Sequence, residues 1–448
     1  MKADARRVGI IGGGVAGLAA AYRLMQKGHQ VALYEASDAV GGLVRTFEVG
    51  GGRLEAFYHH LFDTDTTIIR LIEELGLGDR MVWLNSRVGF YRGGRIYDFV
   101  TPVDVLRFKP LPLPDRVRAG LMGLRLRRQH QWEQFERITA EEWIKKNVSR
   151  RVFDVVWGPL LRGKFGEQAS EVCMAWLWNK IYLRFRSRRG LMQREVLAYL
   201  MGSFGLYVDE LERRLRAGGV EVHTGRPVER VLVEGGKASG LRLADGGSVS
   251  CDAVIAAVSS RVFEKIAPSL PEDYMRRVIS VRWQWATCLL LSLKHSLSPI
   301  YWLNIGDREV PFIAAIEHTN FISREHYGGL HVLYLSNYLA PSSPLLQMDV
   351  DETCELYLPH LQKINPEFSL DWIVDRWLFK GPDAQPVFTR NYREILPDHR
   401  TPVPGLYLAN MSQIYPEDRG QNYSIRMGEQ VAEMVVADLV DVNAPVRL

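Results

Sequence analysis

The chain has 448 residues, of which 47% are hydrophobic and 24% charged, and this composition excludes a disordered, collagen-like or coiled-coil protein. Lysine and arginine number 56 against 52 acidic residues, and a net charge of +4 is too balanced to indicate nucleic-acid binding. The four cysteines are far apart and form no CxxC pair, so we expect neither a disulfide scaffold nor a structural metal site.

Targeting signals are not expected in this sequence. An apolar strand begins near residue 8, too soon for a signal peptide. No apolar run approaches the roughly 18–20 residues of a membrane-spanning helix. The most apolar stretch, residues 285–293, predicts a buried strand. We therefore expect a cytoplasmic protein that is either free or attached peripherally to the inner face of a membrane.

Hydrophobic spacing and glycine turns predict strands and helices in an α/β order along much of the chain. The predicted strands are residues 8–11, 31–35, 87–91, 95–99, 220–223, 228–233, 240–243, 248–251, 254–258, 285–293 and 405–409. The predicted helices are residues 17–27, 66–75, 115–132, 170–185, 208–217 and 425–439. Thr139 and Glu142 also have the spacing of a capping box at the start of a helix.

This order predicts a fold of the α/β class with one discontinuous, Rossmann-like nucleotide-binding domain. Residues 1–100, 208–275 and 395–448 are expected to form that domain. A helical region, residues 101–207, and a β-rich α+β substrate domain, residues 276–394, are expected to be inserted into it.

The first predicted turn has the spacing GxGxxG, with Gly12, Gly14 and Gly17 between a strand and a helix. Gly12 permits the tight turn, Gly14 lets the backbone approach a pyrophosphate, and Gly17 lets the helix pack against the strand. The helix N-terminus, with Val15 and Ala16, offers free N–H groups and a partial positive charge to the phosphates. The alternative is a glycine-rich turn in an unrelated α/β protein.

An acidic residue ends the second predicted strand. Glu35 follows Gly17 by 18 residues, and Ala36 comes next. A carboxylate at this place accepts hydrogen bonds from both hydroxyls of an adenosine ribose and repels a 2′-phosphate. We therefore expect a dinucleotide without that phosphate, bound at Glu35 and Ala36.

A second glycine pair follows in the loop Gly41-Gly42-Leu43-Val44-Arg45-Thr46. With both loops, the chain resembles the FAD-dependent amine oxidase superfamily, which includes protoporphyrinogen oxidases, phytoene desaturases and, more distantly, UDP-galactopyranose mutases. The second loop is most similar to the protoporphyrinogen oxidase-like and phytoene desaturase-like branch. The resemblance implies bound FAD, with contacts from Leu43, Arg45 and Thr46. No cysteine or histidine stands at a position that we can assign to a covalent flavin link, so we expect the FAD to be held non-covalently. Amine oxidases usually carry arginine where this chain has Leu43. Arg45 is the expected substitute, and the alternative is a solvated surface arginine.

Two later strands also resemble the family. Val228 begins a segment similar to the strand whose backbone holds the adenine edge. Residues 404–409 resemble the last family strand, which is normally followed by an acidic residue that contacts phosphate or ribityl oxygens. Asn410 and Met411 stand in that place, and the resemblance implies an uncharged hydrogen bond from Asn410.

The resemblance also implies a helix that begins at the flavin ring. Asn422, Tyr423 and Ser424 take the place of the family helix start that points at the flavin C2 carbonyl. The positive end of a helix favours negative charge on a reduced ring. We expect this contact from the backbone at Tyr423 and Ser424.

Phe57, Tyr58, His59 and His60 lie in a segment that passes the flavin ring in the family and is also similar to the His-x-Phe segment of the galactopyranose mutases. Two adjacent histidines in an aromatic setting can supply a proton near pH 7, so His59 and His60 are the candidate catalytic residues. The alternative is one structural and one solvated histidine. Residues 383–386 resemble a family loop that ends near the ring, or else form an ordinary turn.

Basic residues are concentrated in the helical region. Residues 107–128 and 180–194 together hold thirteen lysines and arginines against one acid, with apolar residues between them. Such stretches lie on an anionic membrane face or bind an anionic substrate. The alternative is a solvated helix face with its apolar stripe in the core.

We therefore predict an FAD-dependent oxidoreductase, an oxidase or dehydrogenase, that removes hydride from a largely apolar substrate, protoporphyrinogen-like or isoprenoid-like. The alternatives are a non-redox flavoenzyme of the UDP-galactopyranose mutase type, an amine oxidase, or a flavin-bound protein without catalysis. The expected partner is a small apolar or anionic molecule, with neither nucleic acid nor metal involved.

Overall fold

The computed structural model describes residues 5–186 and 195–441, and its strands fall into two main sheets and three smaller ones. The strands are β1 (Arg7–Ile11), β2 (Gln30–Tyr34), β3 (Thr46–Val49), β4 (Gly52–Glu55), β5 (Met81–Asn85), β6 (Val88–Arg92), β7 (Arg95–Asp98), β8 (Val196–Leu200), β9 (Glu221–His223), β10 (Val228–Glu234), β11 (Lys237–Leu243), β12 (Ser248–Ser250), β13 (Ala253–Ala256), β14 (Trp283–Leu293), β15 (Trp302–Ile305), β16 (Ala314–Glu317), β17 (His331–Leu339), β18 (Ile373–Pro386) and β19 (Leu406–Leu408).

The helices begin and end within a few residues of the predicted limits where the sequence predicts them. They are α1 (Val15–Gln26), α2 (Thr66–Glu74), α3 (Pro102–Arg107), α4 (Leu113–Arg127), α5 (Ala140–Asn147), α6 (Arg150–Val152), α7 (Gly158–Phe165), α8 (Met174–Arg186), α9 (Gly205–Ala217), α10 (Ser260–Ile266), α11 (Glu272–Ser280), α12 (Val350–Ile364), α13 (Tyr392–Ile395) and α14 (Gln421–Asp441). The capping box predicted for α5 is confirmed, because Thr139 accepts from the Glu142 amide at 3.1 Å and Glu142 from the Thr139 amide at 3.0 Å. Across the described ranges, we find no helix with the length and apolarity needed to cross a membrane.

A five-stranded parallel sheet, in the order β19-β13-β1-β2-β9, forms the nucleotide-binding half of the fold. Its strands come from three separate parts of the chain. Helix α1 packs against α9 and α14, while α10 and the antiparallel β10-β11-β12 sheet share a second apolar cluster with the strands. Because every strand is parallel, all the carboxyl ends meet at one edge, where ligands bind in such sheets. The predicted Rossmann-like α/β fold is confirmed.

A seven-stranded mixed sheet, in the order β18-β14-β17-β16-β15-β6-β7, forms the other half. The apolar stretch predicted as a buried strand is β14, which pairs along its length with β17 and β18. Strands β6 and β7 belong to this sheet, through the parallel pairing of β6 with β15, although they precede residue 100. The predicted domain limits stay a prediction.

Two segments differ from the predicted elements. Residues 196–200, assigned to the helical region, form β8 and pair with β5. The sequence did not predict this strand, because a short apolar run has no periodicity that distinguishes a strand from a helix. Residues 383–386, predicted as a loop or turn, are instead the last residues of β18. Their pairing with Trp283 and Gln284 of β14, a partner distant in sequence, continues the strand.

Candidate active site

The turn after β1 has the backbone that a dinucleotide-binding loop requires. Gly12 has a φ of +100°, and a Cβ there would lie 2.4 Å from the Ala257 carbonyl oxygen. A Cβ on Gly17 would lie 2.0 Å from the Gly12 oxygen, so the helix approaches the strand as predicted. A Cβ on Gly14 would meet nothing within 4 Å. The loop therefore packs tightly against the protein at Gly12 and Gly17, and it leaves open space beside Gly14.

The second glycine loop lies directly beside the first. The Gly41 amide donates to the Gly13 oxygen at 2.8 Å, and Gly14 and Gly41 form a parallel bridge. Gly41 and Gly42 have φ values of +110° and +57°, where glycine is favoured. The two loops thus form one glycine-rich backbone surface in front of the N-terminus of α1, the environment that phosphate groups favour.

Glu35 is fixed at the end of β2, next to this surface. Its Oε2 accepts from the Gly13 amide at 2.6 Å, and its Oε1 accepts from the Ser37 amide at 2.8 Å. The Arg226 amide donates to the Glu35 carbonyl at 2.9 Å, which brings the start of β10, at Val228, to the same edge. The predicted ribose and adenine residues therefore meet beside the glycine loops, and Ala36 is exposed there.

A cavity of about 380 Å³ adjoins the second glycine loop. Residues from the seven-stranded sheet, α7, α8 and the start of α14 line it, and its volume lies within the range of small-molecule sites. Of the predicted site residues, the cavity contains Leu43, Phe57, Tyr58, His59, His60, Asn422 and Tyr423. Most of its remaining wall is aromatic or aliphatic, including Leu160, Leu177, Ile181, Trp302 and Ile313.

The two histidines are exposed to this cavity and held in the neutral form. Burial lowers the pKa of His59 to about 4 and that of His60 to about 3, and nearby Arg419 and Arg184 respectively add to the shift. His60 Nδ1 lies 3.1 Å from the Tyr301 hydroxyl. The sequence suggested that these histidines donate a proton near pH 7. The structure disfavours this role, because a buried imidazolium loses its hydration and both rings are therefore unprotonated at that pH.

An ionic cluster forms one part of the cavity wall. Asp418 Oδ2 lies 2.7 Å from Lys164 Nζ and 2.5 Å from Lys180 Nζ, while Oδ1 accepts from Trp176 Nε1 at 3.1 Å. Burial alone would raise the pKa of Asp418, but the two ammonium groups hold it well below its usual range. Burial lowers the pKa of Lys180 to about 8, because the single carboxylate compensates it only in part.

The start of α14 is tied to its neighbours through side chains. Asn422 Oδ1 accepts from the Thr67 and Ile68 amides at 3.0 and 3.1 Å, and so caps α2. A Cβ on Gly428 would lie 2.1 Å from the Ala16 oxygen, which shows how closely α14 approaches α1. Tyr423 lines the cavity.

The other predicted contacts lie outside the cavity lining. Asn410 is buried and donates to the Val258 carbonyl at 3.0 Å, so its carboxamide holds the backbone after β19. Thr46 accepts from Arg53 Nε at 2.6 Å, and Arg45 is exposed. Met411 packs against the main core, and the Ser424 amide donates to Gly420. FAD contacts from these residues stay predictions.

The sequence model of the family described as flavin containing amine oxidoreductase matches residues 15–433. The chain belongs to this family. The resemblance inferred from the two glycine loops is thereby confirmed, and so are an FAD cofactor and an FAD-dependent oxidoreductase activity.

Two curated relatives and one solved structure resemble this chain over half of its length or more. The chain is 23% identical to 15-cis-phytoene desaturase of Glycine max, over 96% of this chain and 79% of the relative. It is 26% identical to coproporphyrinogen III oxidase of Propionibacterium freudenreichii, over 55% of this chain and 56% of the relative. The structure of reduced UDP-galactopyranose mutase matches with a TM-score of 0.78, 16% identity and 96% of both chains covered, which shows a common fold.

The residues present fit the family's FAD. Gly14 leaves open space where the two loops meet, and a positioned carboxylate, Glu35, stands beside it. Within the described ranges, four buried side-chain atoms of cavity-lining residues have no hydrogen-bond partner in the protein: His59 Nδ1, Glu195 Oε1, Ser336 Oγ and Gln421 Nε2. The glycine loops would hold the pyrophosphate, Glu35 the ribose, and the cavity the flavin ring. No metal-binding group of three His, Cys, Asp or Glu occurs in the described part of the chain.

The sequence did not indicate the Lys164–Asp418–Lys180 cluster. Lys180 was assigned to a basic surface stretch, but its ammonium reaches inward to Asp418, because α8 carries Trp176 and Lys180 on one side, toward the cavity. The local sequence offers one feature near the cluster, the charged pair Asp418-Arg419 followed by Gly420 just before the last helix. Arg188, Arg189 and Arg194 lie outside the described residues.

Glu35→Ala should weaken FAD binding by about one to two decades. The variant removes a charged acceptor for the ribose hydroxyls, and hydrogen bonds to charged groups contribute about 1.5–3 kcal/mol. Flavin released on dilution, followed by fluorescence, measures the change, with Glu48→Ala as an exposed carboxylate control. An unchanged flavin occupancy would show that Glu35 does not bind the ribose.

Proposed function

We propose that this flavoenzyme removes a hydride from a largely apolar substrate, isoprenoid-like or porphyrinogen-like. The observation that carries the proposal is the cavity, most of whose lining residues are aliphatic or aromatic. Apolar walls gain free energy by covering an apolar ligand and exclude water from the reacting atoms. The relatives named as phytoene desaturase and coproporphyrinogen III oxidase support this substrate class.

FAD, when bound, supplies the hydride acceptor. The protein holds the substrate against the ring and accepts the proton that the substrate loses together with the hydride. We assign the second of these roles to His59 and His60, because both imidazoles line the cavity and are unprotonated. Since burial lowers the pKa of each ring, a proton taken up there is held only briefly before it passes to solvent. The Tyr301 hydroxyl, 3.1 Å from His60 Nδ1, orients that ring.

An anaerobic half-reaction tests the proposed function. Oxidised holoenzyme is mixed with a polyene, a porphyrinogen, a primary amine or a nucleotide sugar, and the flavin absorbance is followed. Bleaching by the polyene or the porphyrinogen is expected, and admitting oxygen or another acceptor should restore the colour. Bleaching by the amine alone would make the protein an amine oxidase. Turnover of the sugar only after prior reduction, without net redox change, would make it a mutase.

We further propose that α4 docks the enzyme on an anionic membrane face. Leu113, Val117, Leu121 and Leu124 repeat at helical spacing and are 61%, 44%, 59% and 41% exposed, and Leu106 of α3 is 47% exposed. Exposed apolar faces of this kind mark interaction sites, and a helix with basic flanks lies in the membrane interface.

The charges beside this apolar face favour a membrane over a protein partner. Arg116 and Arg118 are engaged by the Leu111 carbonyl and Asp115. In the described part of the chain, Arg107, Lys109, Arg127 and Arg128 are exposed without an intramolecular partner. Each such residue near an anionic bilayer contributes about 1 kcal/mol, which salt screens.

Liposome sedimentation measures this docking. Binding should require anionic lipid and weaken with salt. Arg127→Gln with Arg128→Gln should weaken it by about tenfold or more, at about 1 kcal/mol for each charge. Leu113→Gln with Leu121→Gln should weaken it further, while Val262→Gln with Ile279→Gln, which changes exposed apolar residues of α10 and α11, should not. Equal binding to neutral vesicles, or no effect of the α4 variants, would refute the docking face.

A further inference from the structure

The cluster of Lys164, Lys180 and Asp418 has a net positive charge. Two ammonium groups share one carboxylate oxygen, at 2.7 and 2.5 Å. Arg419 follows Asp418 but is directed elsewhere, to Gln385 Oε1 at 3.1 Å and to the Tyr338 hydroxyl. The cluster is therefore a net cation inside a mainly apolar cavity.

The carboxylate has no capacity left for a further partner. Asp418 Oδ1 accepts from Trp176 Nε1 and from Gln385 Nε2 at 3.1 and 3.3 Å, and Oδ2 faces both lysines. Each lysine carries three N–H donors. Within the described residues, both ammonium groups donate to Asp418 alone, so donors remain on each.

Both ammonium groups are accessible from the cavity. Their side chains are 18% and 38% exposed, for Lys164 and Lys180, and both line the cavity, whereas Asp418 is 6% exposed. Lys164 Nζ also lies 5.3 Å from the centre of the Trp176 ring. The Trp176 ring and the Asp418 carboxylate hold the two lysines in place, and the remaining N–H donors of the lysines are available to a ligand in the cavity.

We propose that Lys164 and Lys180 bind an anionic group, carboxylate or phosphate, at one end of an otherwise apolar substrate. This inference rests on the proposed function, in that the apolar part of the same molecule would lie along the leucine and tryptophan walls. An anion between the two lysines would supply the missing negative charge, since an uncompensated buried charge is costly. The two positive lysines would then lie between two negative groups, the Asp418 carboxylate and the anionic group of the ligand.

The protonation of Lys180 makes the anion site sensitive to pH. Its charged neighbours are Lys164 on α7, Asp418 before α14, Arg184 on α8 and the nearby Asp65, and the neutral imidazole of His60 also lies near it. Because burial lowers the pKa of Lys180 to about 8, the ammonium loses its proton above that pH in the unliganded enzyme. Anion affinity should therefore fall as the pH rises from 7 to 9, although a carboxylate ligand stays ionised throughout.

Direct binding to the oxidised holoenzyme tests the proposal without turnover. The probes are dodecanoate, dodecyl phosphate and dodecanol, which share a chain and differ in the head group, and the readouts are titration calorimetry and the flavin spectrum. Dodecanoate or dodecyl phosphate should bind at least about tenfold more tightly than dodecanol, as expected for charged hydrogen bonds. The tighter of the two anions identifies the head group.

Variants connect this preference to the lysines. Lys164→Gln and Lys180→Gln should each lower anion affinity by about tenfold and leave dodecanol binding unchanged. Lys180→Arg should retain the preference, which separates loss of charge from misfolding. Lys265→Gln, on the exposed face of α10, is the matched control.

Equal binding of the three probes would overturn the anion site. So would an anion preference that survives both glutamine substitutions. FAD loss in the glutamine variants with unchanged probe binding would assign the lysines to the cofactor instead. If the anions bind as expected but no substrate reduces the flavin, the proposed hydride transfer fails while the anion site stands.

Discussion

Gly14→Val should give a folded protein that no longer retains FAD. Gly14 has a φ of −68°, which every residue adopts, and a Cβ there meets no atom within 4 Å. The fold therefore accepts a side chain at this position. The space that the side chain fills is the space that the glycine loops leave for the pyrophosphate.

The expected loss of FAD affinity is about 100-fold, because forcing extra methyl groups against a close neighbour costs about 1–3 kcal/mol. Flavin absorbance per chain after gel filtration measures retention, and circular dichroism checks the fold. Gly120→Val is the control, since a Cβ there also meets open space, on α4. If Gly14→Val retains FAD as the wild type does, the pyrophosphate does not lie at this loop.

Asp418→Asn should be the most destabilising single change at the cavity. It removes the buried carboxylate that Lys164 and Lys180 share, and leaves two ammonium groups in a mainly apolar cavity. Breaking a buried ion pair from one side costs about 3–5 kcal/mol of unfolding free energy. Urea unfolding of the holoenzyme measures the change, and Asp371→Asn, an exposed aspartate, is the control.

The effect of Asp418→Asn also has a defined pH dependence. The folded protein holds the pKa of Asp418 well below its unfolded value of about 3.9, so the stabilisation is fully present above that pH. Below about pH 4, the carboxyl group is protonated in the unfolded chain but still ionised in the folded protein. The unfolding free energies of wild type and variant should therefore converge as the pH falls. A stability difference under about 1 kcal/mol at pH 7 would show that Asp418 does not compensate the lysines.

The nucleotide-binding half was predictable because its signals are local. Gly12, Gly14 and Gly17 are close in sequence, and a tight turn between strand and helix restricts each of them. Glu35 follows from the same pattern, since the second strand must end at the edge where the first one does. The capping box at Thr139 and Glu142 is likewise contained in four residues.

The cavity was less predictable because its residues meet through tertiary contacts. Lys180 and Asp418 come from distant parts of the chain, and helical spacing alone does not show whether a lysine faces solvent or a buried carboxylate. Strand β8 was missed because a five-residue apolar run is compatible with strand and helix. The neutral state of His59 and His60 also depends on burial, which the pattern of aromatic neighbours did not quantify.

Identification of the cofactor that leaves the purified protein tests the flavin assignment most directly. The two glycine loops and Glu35 predict FAD, held non-covalently. Acid or heat should therefore release a yellow compound with the mass of intact FAD, about one per chain, and leave the polypeptide mass unchanged. Release of NAD or FMN, or flavin that stays on the denatured chain, would contradict the assignment.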